Sequence, residues 1–138
     1  MVGILAAMRV EAELLRGQMT QVHTETYAGR DVAVGQLCGQ DIALAVSGVG
    51  KVNAAVCTQM LIDRFGADIV LNTGVAGSLD SRVGHAATVV AETLEYHDMT
   101  RGILPEDEFR TDAELSRLAR EACPGSFYGK IVTGDQFI

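Results

Sequence analysis

The opening residues constrain the fold most. Val2-Gly3-Ile4-Leu5-Ala6-Ala7-Met8 is an unbroken apolar run, and a run without polar alternation suits a strand buried on both faces of a parallel sheet. From Arg9 the pattern changes. Val10, Leu14 and Leu15 fall on one side and Glu11, Glu13 and Arg16 elsewhere, which predicts a short helix closing near Gly17. Three shorter segments follow, Val22–Tyr27, Asp31–Leu37 and Asp41–Val46, with turn signals at Ala28-Gly29-Arg30-Asp31 and Gly39-Gln40-Asp41. They predict an antiparallel meander.

Ser47-Gly48-Val49-Gly50-Lys51 opens a long helix that runs to about Phe65 and stops at Gly66, with Ala54, Ala55, Thr58, Leu61 and Ile62 as its packing face. Asp68–Asn72 is a second buried strand, and it ends in the glycine-rich Asn72-Thr73-Gly74-Val75-Ala76-Gly77-Ser78. Ala86–Leu94 predicts a strand and Met99–Arg110 an irregular loop. Thr111-Asp112-Ala113-Glu114 caps a helix to about Cys123, and Phe127–Val132 is a last strand. Strands alternating with helices imply an α/β class with a doubly wound sheet that contains some antiparallel pairs. In such sheets ligands bind beyond the carboxyl ends of the strands. The segments to watch are therefore 7–11, 47–51, 74–78, 96–98 and 134–138.

Composition narrows the function. The chain has 138 residues, 48% of them hydrophobic and 21% charged, enough for one domain with a real core. Eighteen acidic residues against eleven basic ones leave a net charge of −7, which argues against a nucleic-acid surface and an anionic membrane surface. No apolar run approaches the ~20 residues that span a bilayer, and no basic region precedes the apolar start. Three cysteines, Cys38, Cys57 and Cys123, are odd in number and widely spaced; they predict no disulfide framework and a reducing cytoplasm.

Several motifs fail. Gly48-Val49-Gly50-Lys51 lacks the earlier Gly of a phosphate loop, because position 45 is Ala, and Val52 stands where a magnesium-binding Ser or Thr belongs. Asn53 replaces the third Gly of a dinucleotide fingerprint. There is no GxSxG elbow for a serine nucleophile, and the three histidines are too scattered to hold a metal.

Five segments in order resemble the 5′-methylthioadenosine/S-adenosylhomocysteine nucleosidases of the purine nucleoside phosphorylase superfamily: 3–11 (GILAAMRVE), 47–52 (SGVGKV), 72–77 (NTGVAG), Tyr96-His97-Asp98, and 133–138 (TGDQFI). The resemblance implies a three-layer α/β/α fold around a central mixed sheet. It implies a single nucleoside-binding domain over 1–138, a homodimer, no metal and no cofactor. It also implies hydrolysis of the N-glycosidic bond of methylthioadenosine or S-adenosylhomocysteine, releasing adenine. Such chemistry needs a stabilised oxocarbenium-like transition state, a positioned and deprotonated water, and adenine protonated at N7 as it leaves.

By resemblance Glu11 orients and deprotonates the water. From the residues alone, Glu11 reads first as a solvent-facing acid favoured by the helix dipole, and the resemblance reverses that order. Ala7 and Met8 resemble pocket wall near the sugar, and Val49 an apolar contact for the 5′-thio group. Val75, Ala76 and Gly77 resemble the loop beside ribose and adenine. Phe137 resembles the residue stacked on adenine, and Ile138 the one whose backbone reads the purine edge. Tyr96-His97-Asp98 reads as a structural polar cluster, and Asp135 receives no proton-donor role. The family's ribose-binding Met-Glu pair and its Ser-Asp motif would follow Ile138. The expectation is thus a domain lacking its C-terminal strands and helices, inactive as 138 residues alone.

Two rivals remain open. A purine nucleoside phosphorylase of the same superfamily would need donors converging on a phosphate dianion; acidic Glu11 would oppose that anion, whereas Arg9 would welcome it. An inactive nucleoside-binding or dimerisation module would bind adenine compounds without releasing adenine.

Overall fold

The first apolar run forms strand β1 (Val2–Ala6), and residues 3–6 are buried as their unbroken apolar character requires. The computed structural model describes residues 1–136, and Phe137 and Ile138 lie outside the described residues. The chain divides into two compact units, Met1–Ala76 and Gly77–Ile138.

In the first unit β1 is followed by α1 (Arg9–Gln18), β2 (Thr20–Tyr27), β3 (Arg30–Leu37), β4 (Gln40–Val46), α2 (Lys51–Phe65) and β5 (Ile69–Thr73). The five strands form one sheet in the order β2-β3-β4-β1-β5. Its β2-β3-β4 part is the antiparallel meander, whereas β1 runs parallel to both β4 and β5. The sheet is therefore mixed. Alternate residues feed two cores on opposite faces. Leu5, Val32, Ala43 and Ala45 pack with Cys57, Met60, Leu61 and Phe65 of α2. Ile4, Ala6, Ala33, Ile42 and Leu44 pack with Ala12 of α1 and with Met19. One helix covers each face, which makes the unit a three-layer α/β/α arrangement.

Both helices are turned relative to the faces expected from sequence. In α1, Val10 and Leu14 are exposed, while Ala12 is buried and Leu15 half-buried. A ten-residue helix crossing a sheet needs a small contact residue, and Ala12 lets the two backbones approach. In α2, Ala55 and Ile62 face solvent and Cys57, Met60, Leu61 and Phe65 face the sheet. Leu61, fully buried, contributes ~2 kcal/mol of apolar transfer. Gly66 ends α2 in the left-handed conformation, its N–H returning to the carbonyls of Leu61 and Ile62.

The second unit contains β6 (Val89–Tyr96), β7 (Glu108–Arg110), α3 (Ala113–Ala122) and β8 (Phe127–Thr133). Its sheet has the order β7-β6-β8, with β6 antiparallel to β7 and parallel to β8. The stretch Met99–Arg110 is thus not wholly irregular, because its last three residues pair with residues 93–95. A strand that short, Glu-Phe-Arg, carries too little periodicity to be visible in sequence. Of Thr111 and Asp112, the two N-cap candidates of the sequence, Asp112 is the N-cap of α3, its Oδ1 accepting the N–H groups of Glu114 and Leu115 at 2.9 and 3.0 Å.

Candidate active site

Three parallel strands of the first unit end together. In register, Ala6 of β1 lies between Val46 of β4 and Thr73 of β5, so residues from 7, 47 and 74 onward leave the sheet side by side. The chain after β1 turns to the helix on one face and the chain after β4 to the helix on the other. The gap between such divergent connections is where open α/β sheets take ligands.

Glu11 sits in this gap. It is the third residue of α1, half-buried, and its carboxylate does not simply face water. Oε2 accepts the N–H of Met8 at 2.8 Å, closing the helix start on itself. Oε1 accepts the N–H of Val75 at 3.0 Å, from the segment after β5, 64 residues away in sequence. The acid therefore ties two strand ends together and has one backbone donor on each oxygen. An ionised carboxylate has about four acceptor sites, so lone pairs remain for a water or a substrate hydroxyl.

Gly74 is part of the same construction. A Cβ there would stand 2.8 Å from Glu11 Oε1 and 3.1 Å from Cδ, so a side chain at this position would displace the carboxylate from where it lies. The segment 74–78 is marked in the sequence but this contact is not, its only signal being the long-range pairing of β1 with β5.

The remaining expected residues of this unit line the same edge. Ala7 is half-buried, Met8, Val75 and Ala76 are exposed, and Val49 is 66% exposed in the loop after β4. Apolar side chains left uncovered beside a polar anchor suit a ligand with an apolar part. Buried Ser47 fastens that loop to β1, its N–H donating to the Ala6 carbonyl at 2.8 Å.

Gly77 is exposed in the second unit. Tyr96, His97 and Asp98 stand at the end of β6, against the chain after β8. His97 N–H donates to the Thr133 carbonyl at 2.9 Å, and Asp98 Oδ2 accepts the Asp135 N–H at 2.7 Å. A Cβ on Gly134 would collide with the His97 ring. These residues act as a clasp on the 133–135 turn, in keeping with a structural polar cluster. The expectations placed on Phe137 and Ile138 lie outside the described residues. Among the described residues no three His, Cys, Asp or Glu side chains group to hold a metal, and no helix is long and apolar enough to cross a membrane.

Comparison with known proteins gives a consistent result. Residues 1–138 match the family pattern of the phosphorylase superfamily. A 5′-methylthioadenosine/S-adenosylhomocysteine nucleosidase of Tolumonas auensis is 34% identical over 99% of this chain and 66% of its own length. The nucleosidase of Staphylococcus saprophyticus is also 34% identical, over 100% of this chain and 66% of its own. Among solved structures, the nucleosidase of Colwellia psychrerythraea in complex with adenine superposes with a TM-score of 0.91 at 34% identity, covering 99% of this chain and 63% of that one. That of Neisseria meningitidis with methylthio-immucillin-A gives 0.90 at 35% identity, covering 99% and 65%. The chain spans about two thirds of the length of the curated relatives it matches.

Proposed function

The chain belongs to the phosphorylase superfamily, and from that membership we propose that it serves the hydrolysis of the N-glycosidic bond of 5′-methylthioadenosine or S-adenosylhomocysteine, with Glu11 activating the water. The observation that carries this reading is the Glu11 carboxylate, fixed by one N–H from Met8 and one from Val75 at the ligand-binding edge of the sheet. The relatives with this sequence pattern are nucleosidases, two of them solved with adenine or a methylthio-nucleoside analogue.

The chemistry follows from that anchoring. A carboxylate held by both oxygens keeps its orientation while it accepts a proton, so a water bonded to it is aimed as well as polarised. As the C1′–N9 bond breaks, its electrons pass to the purine, which takes a proton from solvent at N7, and Glu11 later returns the proton it gains to solvent. The water oxygen bonds to C1′ and its proton passes to Glu11. The negative carboxylate also stabilises the positive charge that builds on the sugar. Ala7, Met8, Val49, Val75 and Ala76 form the first unit's part of the nucleoside site in this reading.

Phosphorolysis fits less well. Phosphate at this edge would need the free backbone donors of the strand ends, and two of them already serve Glu11. A second anion beside the carboxylate would be repelled. The discriminating experiment follows adenine release from methylthioadenosine by the full-length protein, with and without phosphate. Equal rates are expected; a rate that needs phosphate would overturn the reading. In Glu11→Gln, binding persists while turnover falls ~10²–10⁴-fold, the usual share of a general base.

The partners are a small-molecule nucleoside and a second copy of the chain, joined partly through α2. Three unpaired cysteines, two of them exposed, suit a reducing cytoplasm.

A further inference from the structure

The loop between β4 and α2 is loose by composition and held by two side chains that no motif marks. Gly48 and Gly50 adopt φ of +82° and +105°, and α2 has no side-chain cap at its start. Two glycines in four residues leave this stretch much of its backbone freedom. Arg30, half-buried at the first position of β3, lies level with its near end, because Val32 pairs with Ala45 two residues further along. Its Nη1 donates to the Ser47 carbonyl, and its Nη2 donates to Asn53 Oδ1 at 2.7 Å. Asn53, from the first turn of α2, turns its Nδ2 back to the Val49 carbonyl at 2.8 Å. The guanidinium fork thus reaches one carbonyl of the loop directly and a second through Asn53. Val49, whose carbonyl is the second braced point, keeps a side chain that is 66% exposed.

We propose that Arg30 and Asn53 are positioning residues, which hold the Ser47–Gly50 loop so that Val49 meets the 5′ substituent of the nucleoside, and so set tail discrimination without touching the ligand. This rests on the nucleosidase reading above for the identity of the ligand. Only a planar fork with two separated donors spans both acceptors; a lysine ammonium reaches one of them.

The test compares wild type with Arg30→Met, Arg30→Lys and Asn53→Ala, each titrated in a Glu11→Gln background so that the nucleoside is bound and not turned over. It uses two probes in calorimetry, methylthioadenosine and adenine, and amide exchange at residues 48–50 as an independent readout. Loss of one or two part-buried hydrogen bonds corresponds to roughly a tenfold effect. Arg30→Met and Asn53→Ala are expected to weaken methylthioadenosine about tenfold, leave adenine within about twofold, and speed exchange at 48–50. Arg30→Lys should recover part of each. An equal loss for both probes would mean a merely structural role and overturn the proposal. Unchanged exchange at 48–50 would overturn the brace whether or not ligand binds. A wild type that binds neither probe, with exchange still accelerated in the variants, would sink the nucleoside reading and with it the tail assignment, leaving the brace alone standing. Asn53→Ala, at a surface-accessible helix start, keeps the test decisive should Arg30→Met fail to fold.

Discussion

Gly74 faces the Glu11 carboxylate at a distance where only hydrogen fits, so a single methyl group should separate binding from catalysis. In Gly74→Ala the new Cβ would start 2.8 Å from Oε1; either the acid swings away or the Val75 N–H loses its acceptor. Turnover is expected to fall ~10²-fold with KM for methylthioadenosine little changed, and the loss should not add to that of Glu11→Gln, because both act on one group. Additive losses in steady-state kinetics would separate the two residues. Cys57 offers a second prediction. Its side chain is fully buried, and that burial pushes the thiol above its ordinary range, with Arg30 nearby pulling the other way. Thiol-reactive dye should therefore label Cys38 and Cys123, both exposed, at once and Cys57 only on unfolding. Three fast thiols in the native protein would refute this. At this scale the sequence showed that Glu11 begins a helix beyond a strand. It could not show the partners of the carboxylate, because Val75 reaches it through strand pairing across 64 positions.

Glycine-bounded apolar runs made the strands of the first unit legible to within two residues, and the positive-φ stop at Gly66 made the end of α2 legible too. Helix faces were harder. Ala55 and Ile62 share a side of α2 with Val52 and Val56, and nothing in an apolar helix says which apolar side meets the sheet. The second unit was legible in β6, α3 and β8 and lost only β7. That short strand carries Glu108, which meets Lys130 of β8 at 2.7 Å while Lys130 also meets Glu95 of β6 at 2.6 Å. Arg101 completes the group on Glu95, whose side chain is only 15% exposed. Hydrogen bonding to Lys130 is the main cause lowering the pKa of both carboxyls, and the same bonds raise that of Lys130. The carboxyl contribution is complete above the unfolded value of about 4.3 and disappears as pH falls through the lower folded values. The lysine contribution is complete below about 10.4 and disappears as pH rises through the higher folded value. Thermal melts of wild type and Lys130→Met should thus differ most between about pH 5 and 10 and converge at both ends. A difference independent of pH would assign Lys130 a packing role instead.

The whole molecule carries a net charge of −7, yet α2 leaves Val52 78% and Val56 54% exposed, with Ala55 and Ile62 beside them. Solvated helices ordinarily put charge on such a face. Here the polar residues on it, Gln59 and Asp63, bond to each other at 2.9 Å and leave the valines uncovered. A second copy is the occupant that suits this surface, because a twofold contact sets the same apolar stripe against itself and needs no complementary charge. Sedimentation of the full-length protein at micromolar concentration should therefore report twice the mass of one chain. The salt dependence has a definite sign. Two chains of like charge repel, and added salt screens that repulsion while leaving apolar burial intact, so the dimer should tighten with ionic strength. A contact held by ion pairs would loosen instead. Val52→Asp and Val56→Asp place paired carboxylates in the stripe and should give monomers whose melting, measured below the wild-type association concentration, matches wild type, since neither side chain is buried within its own chain. A wild type that stays monomeric at every concentration, or aspartate variants that remain dimeric, would remove α2 from the interface.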